Sequence, residues 1–246
     1  MRIYSTAREM MSEMGRDLWE MGIEVIPKTY QNKNIEGNKD FITKEEFCKQ
    51  YCLTSLPDPE YLFVYNKSKG WVEAELKERL SGKMINPGEA YHLREELWAQ
   101  FLDSDGKFDY TYPERLNHYI KYKNDTMTLI QGIISLLKDD PDTRKATLPI
   151  FTKVDSNYYD GSKRIPCSMY YGFFIRGGKL NITYHQRSSD FVQHFGNDVY
   201  LAYRLMEYIA NEVGTKPGML IHTIDSLHVY QKDWHLIKSS IDDLIK

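Results

Sequence analysis

The chain has 246 residues, 41% hydrophobic and 27% charged, a size and balance that fit a globular fold with a sizeable core. A formal net charge of −3 leaves no footprint for non-specific binding to nucleic acid, so any phosphate handled here belongs to a single nucleotide gripped by a few local cations. No apolar run approaches the roughly 18 residues of a membrane span, the methionine- and acid-bearing N-terminus does not read as a signal peptide, and three cysteines point to a reducing cytoplasm rather than a disulfide framework.

Apolar residues at Met10, Met14, Leu18 and Met21 predict a helix from Thr6 to about Gly22. Thr43 and Glu46 have capping-box spacing, which predicts a short helix over ITKEEFCKQYC with Cys48 and Cys52 on one face. With no His-Cys pair nearby, these two read as buried thiols and no metal is expected. Helices are expected over Trp71 to Leu80, Glu89 to Leu102 and Asp125 to Leu137, then a strand in ATLPIF and a surface loop in VDSNYYDGSKR. Cys167 to Ile175 and Lys179 to Gln186 read as a hairpin around Arg176-Gly-Gly-Lys179. Val199 to Val213 is a helix stopped by Gly214, MLIHTI and LHVY are strand-like, and Trp234, Ile237, Ile241 and Leu244 mark a closing amphipathic helix. With no repeat or linker, residues 1–246 are expected to form a single domain of mixed α/β (α+β) class, a mixed β-sheet with flanking helices.

The segment from Arg164 to Tyr230 carries the chemistry. Cys167 follows Pro166, and its thiol must be partly ionised to attack carbon; Arg187, across the hairpin, is a cation that favours the thiolate. Read alone, Cys167 is more simply a buried strand cysteine, and only its context favours the nucleophile. Arg187 suits a phosphate through its planar fork, and His228 and Tyr230, two residues apart on a strand, converge on one side. Asp198, in HFGND, is an acceptor when ionised; it is also placed to be a helix N-cap.

Pro166-Cys167, the run Gln186-Arg187-Ser188-Ser189-Asp190, Asn197-Asp198 and His228-x-Tyr230 together resemble the thymidylate synthase superfamily. The resemblance is strongest from Pro166 to Tyr230 and implies a thymidylate synthase-like fold. It also implies one-carbon transfer from 5,10-methylenetetrahydrofolate to C5 of a pyrimidine nucleotide, without metal, in a homodimer whose sites are shared across the interface. By it, Cys167 is the nucleophile that adds to C6. Gln186, Arg187 and Ser188 belong to the nucleotide site, with the Arg and Ser on the phosphate. Asp190 meets the folate's pterin ring, and His228 and Tyr230 bind the sugar hydroxyl. Arg144 and Lys145 stand where the family has two arginines reaching the partner's phosphate, although Lys145 lacks the planar fork. Lys28 is a further phosphate candidate, Tyr112 a pocket tyrosine on the folate side, and Glu75 the acid–base carboxylate, chosen over Glu73 and Glu78 on the same helix.

At the position of Asp198 thymidylate synthases carry an Asn that reads uracil. A carboxylate there suits the 4-amino group and protonated N3 of cytosine, and phage deoxycytidylate hydroxymethylases share both this Asn-Asp and the tract SLHVY. The expected activity is therefore hydroxymethylation of dCMP with water as the final nucleophile, helped by the lack of the C-terminal tail that closes thymidylate synthases over folate. Methylation of dCMP or dUMP and hydroxymethylation of CMP or dUMP are the alternatives within the family. A Cys-His hydrolase using Cys167 with His222 or His228, and a non-catalytic nucleotide-binding protein, are the alternatives outside it.

Overall fold

The predicted hairpin forms, and it is the centre of the architecture. Strands Ser168–Arg176 and Lys179–Gln186 pair antiparallel, and Gly177 and Gly178 turn the chain with φ of 59° and 70°, the left-handed pair that a two-residue hairpin loop requires. This computed structural model describes residues 1–238. Its main sheet has eight strands, six of them ordered Arg2–Tyr4, Thr43–Leu53, Lys216–Tyr230, Lys179–Gln186, Ser168–Arg176 and Thr147–Pro149. Ile23–Val25 pairs with Thr43–Leu53, and Ser189–Asp190 pairs with Lys216–Tyr230. Lys216–Tyr230 runs parallel to Lys179–Gln186 and antiparallel to Thr43–Leu53, so the sheet is mixed, as expected.

Helices Ala7–Met21, Lys69–Arg79, Leu129–Asp139 and Gly196–Glu212 flank the sheet. The first buries Met10, Met14 and Leu18 and is capped by Thr6, whose hydroxyl accepts from Glu9 N. The last buries Val199, Ala202, Met206, Ile209 and Ala210 in the core with Leu180, Ile182 and Leu220 of the sheet.

A bulge at Met169 matters for the site. Tyr170 pairs with His185, but Ser168 pairs with Gln186, which leaves Met169 as one extra residue. Its carbonyl accepts from both Ile150 N and Phe151 N. The bulge resets the inward–outward alternation, so Ser168 and Tyr171 both face the core while Tyr170 is exposed.

Several expectations are corrected. Residues 43–53 form an 11-residue strand, not a capped helix: three strands, on its two sides, take up its backbone groups, and the Thr43 hydroxyl donates to Val25 O. Cys48 is exposed at φ 58° while Cys52 is buried, so they share no helical face. Asp125–Thr128 pairs with Tyr119–Tyr122, and the helix starts only at Leu129, with Thr128 and Gln131 forming its capping box. The expected 89–102 helix is broken into Glu89–His92 and Glu95–Trp98, separated by Arg94 at φ −145°, and a 3₁₀ turn at Ala99–Phe101. MLIHTI and LHVY are parts of one 15-residue strand. Trp234 and Ile237 lie on a helical turn with Ile237 fully buried; Ile241 and Leu244 fall outside the described residues.

The Gly196–Glu212 helix begins where a Cβ has no room. At Gly196 it would stand 1.9 Å from Leu62 O, a backbone atom that no side-chain rotation removes. Gly196→Ala is expected to lower the unfolding free energy by about 1–3 kcal/mol in urea titration, whereas Gly70→Ala, with open space around it, should cost nothing measurable.

Candidate active site

Where the hairpin, the Ser189–Asp190 strand and the Gly196–Glu212 helix meet, they floor a cavity of about 570 Å³, within the range of ligand sites. Its lining includes Glu75, Tyr112, Cys167, Arg187, Ser188, Asp190, Asp198, His228 and Tyr230, so the fold brings nine of the sequence-chosen residues together. Gln186 lies just beneath, bonded to Asp198. Lys28, Arg144 and Lys145 are exposed and outside the lining; Lys28 lies 3.8 Å from Glu36.

Cys167 is held by its neighbour strand. Arg187 N–H donates to Cys167 O, while the Arg187 side chain donates to Pro166 O at 2.9 Å and Ile165 O at 3.1 Å, and its Nη2 stands 3.9 Å from Sγ. The expected lowering of the thiol pKa is not realised in the free protein. Burial pushes it up, with Asp198 in the same direction, and Arg187 and Arg164 offset this only in part.

Asp198 is the third residue of its helix and caps nothing. Its Oδ2 accepts from Gln186 Nε2 at 2.9 Å and from Ser189 Oγ at 3.4 Å. Burial raises its pKa to about 6 against the pull of Gln186, Arg79 and Ser189. Asn197, one residue earlier, is turned away: its Oδ1 accepts from Ser68 Oγ and its Nδ2 donates to Gln193 O. The true helix cap is Asp190, which accepts from Val192 N and Gln193 N and whose pKa burial lifts to about 7.

Of the three glutamates of the Lys69–Arg79 helix, Glu75 and Glu78 line the cavity and Glu73 does not, and each has a different partner. Glu75 is 9% exposed, lines the cavity and is paired with Arg79 Nε at 2.8 Å. Glu73 accepts from Tyr200 OH, and Glu78 accepts from Ala90 N. Arg79, which the sequence reading passed over, lies 4.1 Å over the Tyr112 ring. Its own burial opposes the charge, but Glu75, Tyr171 and Tyr112 outweigh it and hold the guanidinium protonated. The i, i+4 spacing of Glu75 and Arg79 was the available signal. Tyr112 OH reaches Ser168 Oγ at 3.1 Å.

Opposite lies an aromatic and cationic wall that local pattern did not announce. Arg164 sits over the Phe101 and Trp98 rings at 4.5 and 5.2 Å and donates to Gln31 Oε1, and His194 packs against Trp98. The expected surface loop is part of the rim: Asp155 is buried and paired with Arg115, and Tyr158 to Gly161 line the cavity. His222 is fully buried and bonded to Tyr51 and Gln186; among the described residues no histidine bonds to Cys167 Sγ, so the Cys-His hydrolase reading lacks its base. No group of three or more His, Cys, Asp or Glu among the described residues is set to hold a metal ion, and no helix among them is long and apolar enough to cross a membrane.

Comparison with known proteins bears on this arrangement directly. The family model described as thymidylate synthase matches residues 83–243, well over half of the chain. The chain belongs to the thymidylate synthase family. Over 154 residues it is 33% identical to a candidate thymidylate synthase of Methanosarcina acetivorans, a match covering 60% of this chain and 65% of that protein. Over 179 residues it is 27% identical to the deoxyuridylate hydroxymethyltransferase of Bacillus phage SP01, covering 63% of this chain and 46% of the phage protein. The chain thus spans less than two thirds of these relatives' length. The solved structure of thermostable thymidylate synthase A from Bacillus subtilis superposes with a TM-score of 0.74 over 97% of this chain and 84% of the other, at 18% identity, which shows the common fold. Members of this family are one-carbon transferases that use methylenetetrahydrofolate. Glu75 and Lys28 precede the matched region.

Burial lowers the pKa of His228 to about 4, with Arg187 adding to the effect and the bond to Ser226 O opposing it. In the unfolded chain this histidine takes up a proton near pH 6.5. Its contribution to stability is therefore complete above pH 6.5 and lost as the pH falls towards 4; Asp190 and Asp198, with raised pKa values, act in the opposite sense. His228→Asn is expected to flatten the loss of stability between pH 6.5 and 4 by up to about 3 kcal/mol, read from urea titrations across that range.

Proposed function

We propose that this protein hydroxymethylates C5 of dCMP, forming 5-hydroxymethyl-dCMP and tetrahydrofolate from 5,10-methylenetetrahydrofolate and water. The observation that carries this reading is the placement of Asp198. A carboxylate, not an amide, faces the cavity at the base-reading position, while Asn197 is committed to Ser68 and Gln193. Ionised Asp198 only accepts, which fits a 4-amino group and a protonated N3 and opposes the carbonyl of uracil. The hydroxymethyl product is supported by the phage relative, whose name specifies that transfer on deoxyuridylate.

The cavity fits a second, flat ligand beside the nucleotide. Trp71, Tyr91, Trp98 and His194 present ring faces or edges, and the Asp190 carboxyl is available to ring nitrogens. When bound there, the folate supplies the one-carbon unit at the oxidation level of formaldehyde. Arg187 and Ser188 hold the phosphate, and His228 and Tyr230 converge on the sugar hydroxyl. Cys167 Sγ forms a bond to C6, which makes C5 nucleophilic, and Asp198 holds the base edge in place. Glu75, kept in one rotamer by Arg79, positions the water whose oxygen enters the product and moves its proton. Cleavage of the C6–S bond then releases Cys167.

Residues 1–246 act in this proposal as one catalytic domain within a homodimer. Arg144 and Lys145, exposed in the single chain, reach the partner's phosphate, as exposed Phe47 and Tyr170 on the outer sheet face are consistent with a covered surface. A second reading is hydroxymethylation of dUMP. The phage relative's name favours it, and Asp198, with a pKa of about 6, donates to a uracil carbonyl once protonated.

Purified protein with methylenetetrahydrofolate and, separately, dCMP, CMP and dUMP is expected to give hydroxymethyl-dCMP as the main product by mass spectrometry. Cys167→Ser should reduce turnover by about a thousandfold or more. Asp198→Asn should shift the ratio of kcat/KM for dCMP over dUMP towards dUMP by at least about a hundredfold. A methylated product removes the water step, and an unchanged ratio in Asp198→Asn removes the role of Asp198.

A further inference from the structure

Behind Asp198 a line of buried side chains runs across the strands on one face of the sheet with no freedom in its hydrogen-bond direction. An ionised Asp198 accepts only, so Gln186 must present its NH₂ group, and Nε2 stands 2.9 Å from Oδ2. The Gln186 carbonyl then faces back to His222 Nε2 at 2.9 Å, which must carry the proton. Burial lowers the His222 pKa to about 3, with His185 adding to the effect, so the ring is neutral and Nδ1 is bare. That lone pair accepts from Tyr51 OH at 2.9 Å. Each choice forces the next. An amide flip at Gln186 would set its carbonyl against the carboxylate and its NH₂ against an N–H.

The ring that transmits this order is clamped. His222 stacks on Tyr184 at 4.4 Å with planes 16° apart, and Phe195 lies nearly parallel on it at 6.2 Å and 8°. Tyr51 and His222 are fully buried and lie outside the cavity lining, so neither touches substrate.

We propose that Tyr51 and His222 are positioning residues for base selection: a one-way relay, Tyr51 to His222 to Gln186 to Asp198, fixes the Gln186 amide so that one oxygen of Asp198 is always occupied and the other faces the base. The proposal rests on the reading of Asp198 as the group that meets the base. It explains why a side chain as free as a glutamine amide sits under the selecting carboxylate: its orientation is set from two strands away on the same face of the sheet.

The test is a double-mutant cycle on nucleotide binding. Tyr51→Phe keeps the ring and removes only the hydroxyl. Dissociation constants for dCMP and dUMP are measured by calorimetry in wild type, Tyr51→Phe, Asp198→Asn and the double variant. Tyr51→Phe is expected to lower the dCMP preference by about tenfold with Asp198 present. In the Asp198→Asn background it should change the preference by less than about twofold, because an amide finds a partner for either orientation of Gln186. Equal shifts in both backgrounds mean a general structural effect and overturn the relay. Nitrogen-15 NMR of the imidazole in the free protein gives a ligand-independent check. The proton is expected on Nε2 of His222 and absent from Nδ1, and the reverse tautomer overturns the proposal even if Tyr51→Phe does not fold. If wild type prefers dUMP but the coupling between residues 51 and 198 persists, the relay stands and the cytosine reading falls. Binding of neither nucleotide overturns both.

Discussion

Four rings lie in register across the sheet, and much of the structure follows from keeping them there. Tyr171 pairs with Tyr184, Tyr184 with His222 and His222 with Tyr51 as direct cross-strand neighbours. Tyr171, Tyr184 and His222 stack face to face at 4.3 and 4.4 Å. Because strand side chains alternate with period two, a slip of one residue in any of these strands would turn its ring out of the core. The row therefore fixes the register of the four central strands, and two residues further along Lys179–Gln186 that register delivers Gln186, followed by Arg187 and Ser188. The alignment that closes the core is also the one that aims the site.

The site holds charge in a place that resists it. Asp190, Asp198 and Cys167 all have pKa values lifted chiefly by burial, and His194, His222 and His228 have theirs lowered by it. The arginines behave otherwise: Arg79 is neutralised by Glu75 and spread over Tyr112, and Arg164 rests on a bed of rings. In the free state burial biases thiol, carboxyl and imidazole groups towards their neutral forms, with Asp198, at a pKa of about 6, still ionised at neutral pH, beside permanently charged guanidinium groups. A nucleotide phosphate is the natural complement of that balance.

The sequence disclosed what local rules control. The hairpin was legible because Gly177-Gly178 supplies a turn between two apolar runs, and the long C-terminal helix because its apolar residues recur at helical spacing. Cys167, Arg187, Asp198 and His228 were legible as a set only through family motifs, and the fold brings them to one cavity. Thr43 to Leu53 was not legible: its capping-box spacing is genuine, but pairing on two sides settles it as strand. The wall of Trp98, Phe101 and Arg164 was hidden for a related reason. It is assembled from segments more than 60 residues apart, and no window of sequence holds both partners. Asp198 could be read as a helix cap until its helix was seen to start two residues earlier.

The seat of Gly196 on the Leu62 carbonyl has a bearing on how such a chain can change over generations. That contact is made by main chain against main chain, so it places no demand on which side chain stands at position 62 beyond filling its own space. Position 62, within the residues that precede the family match, can change its side chain while its carbonyl still anchors the start of the helix that carries Asp198. A change of side chain at that contact and a constant start for the helix are therefore compatible by construction.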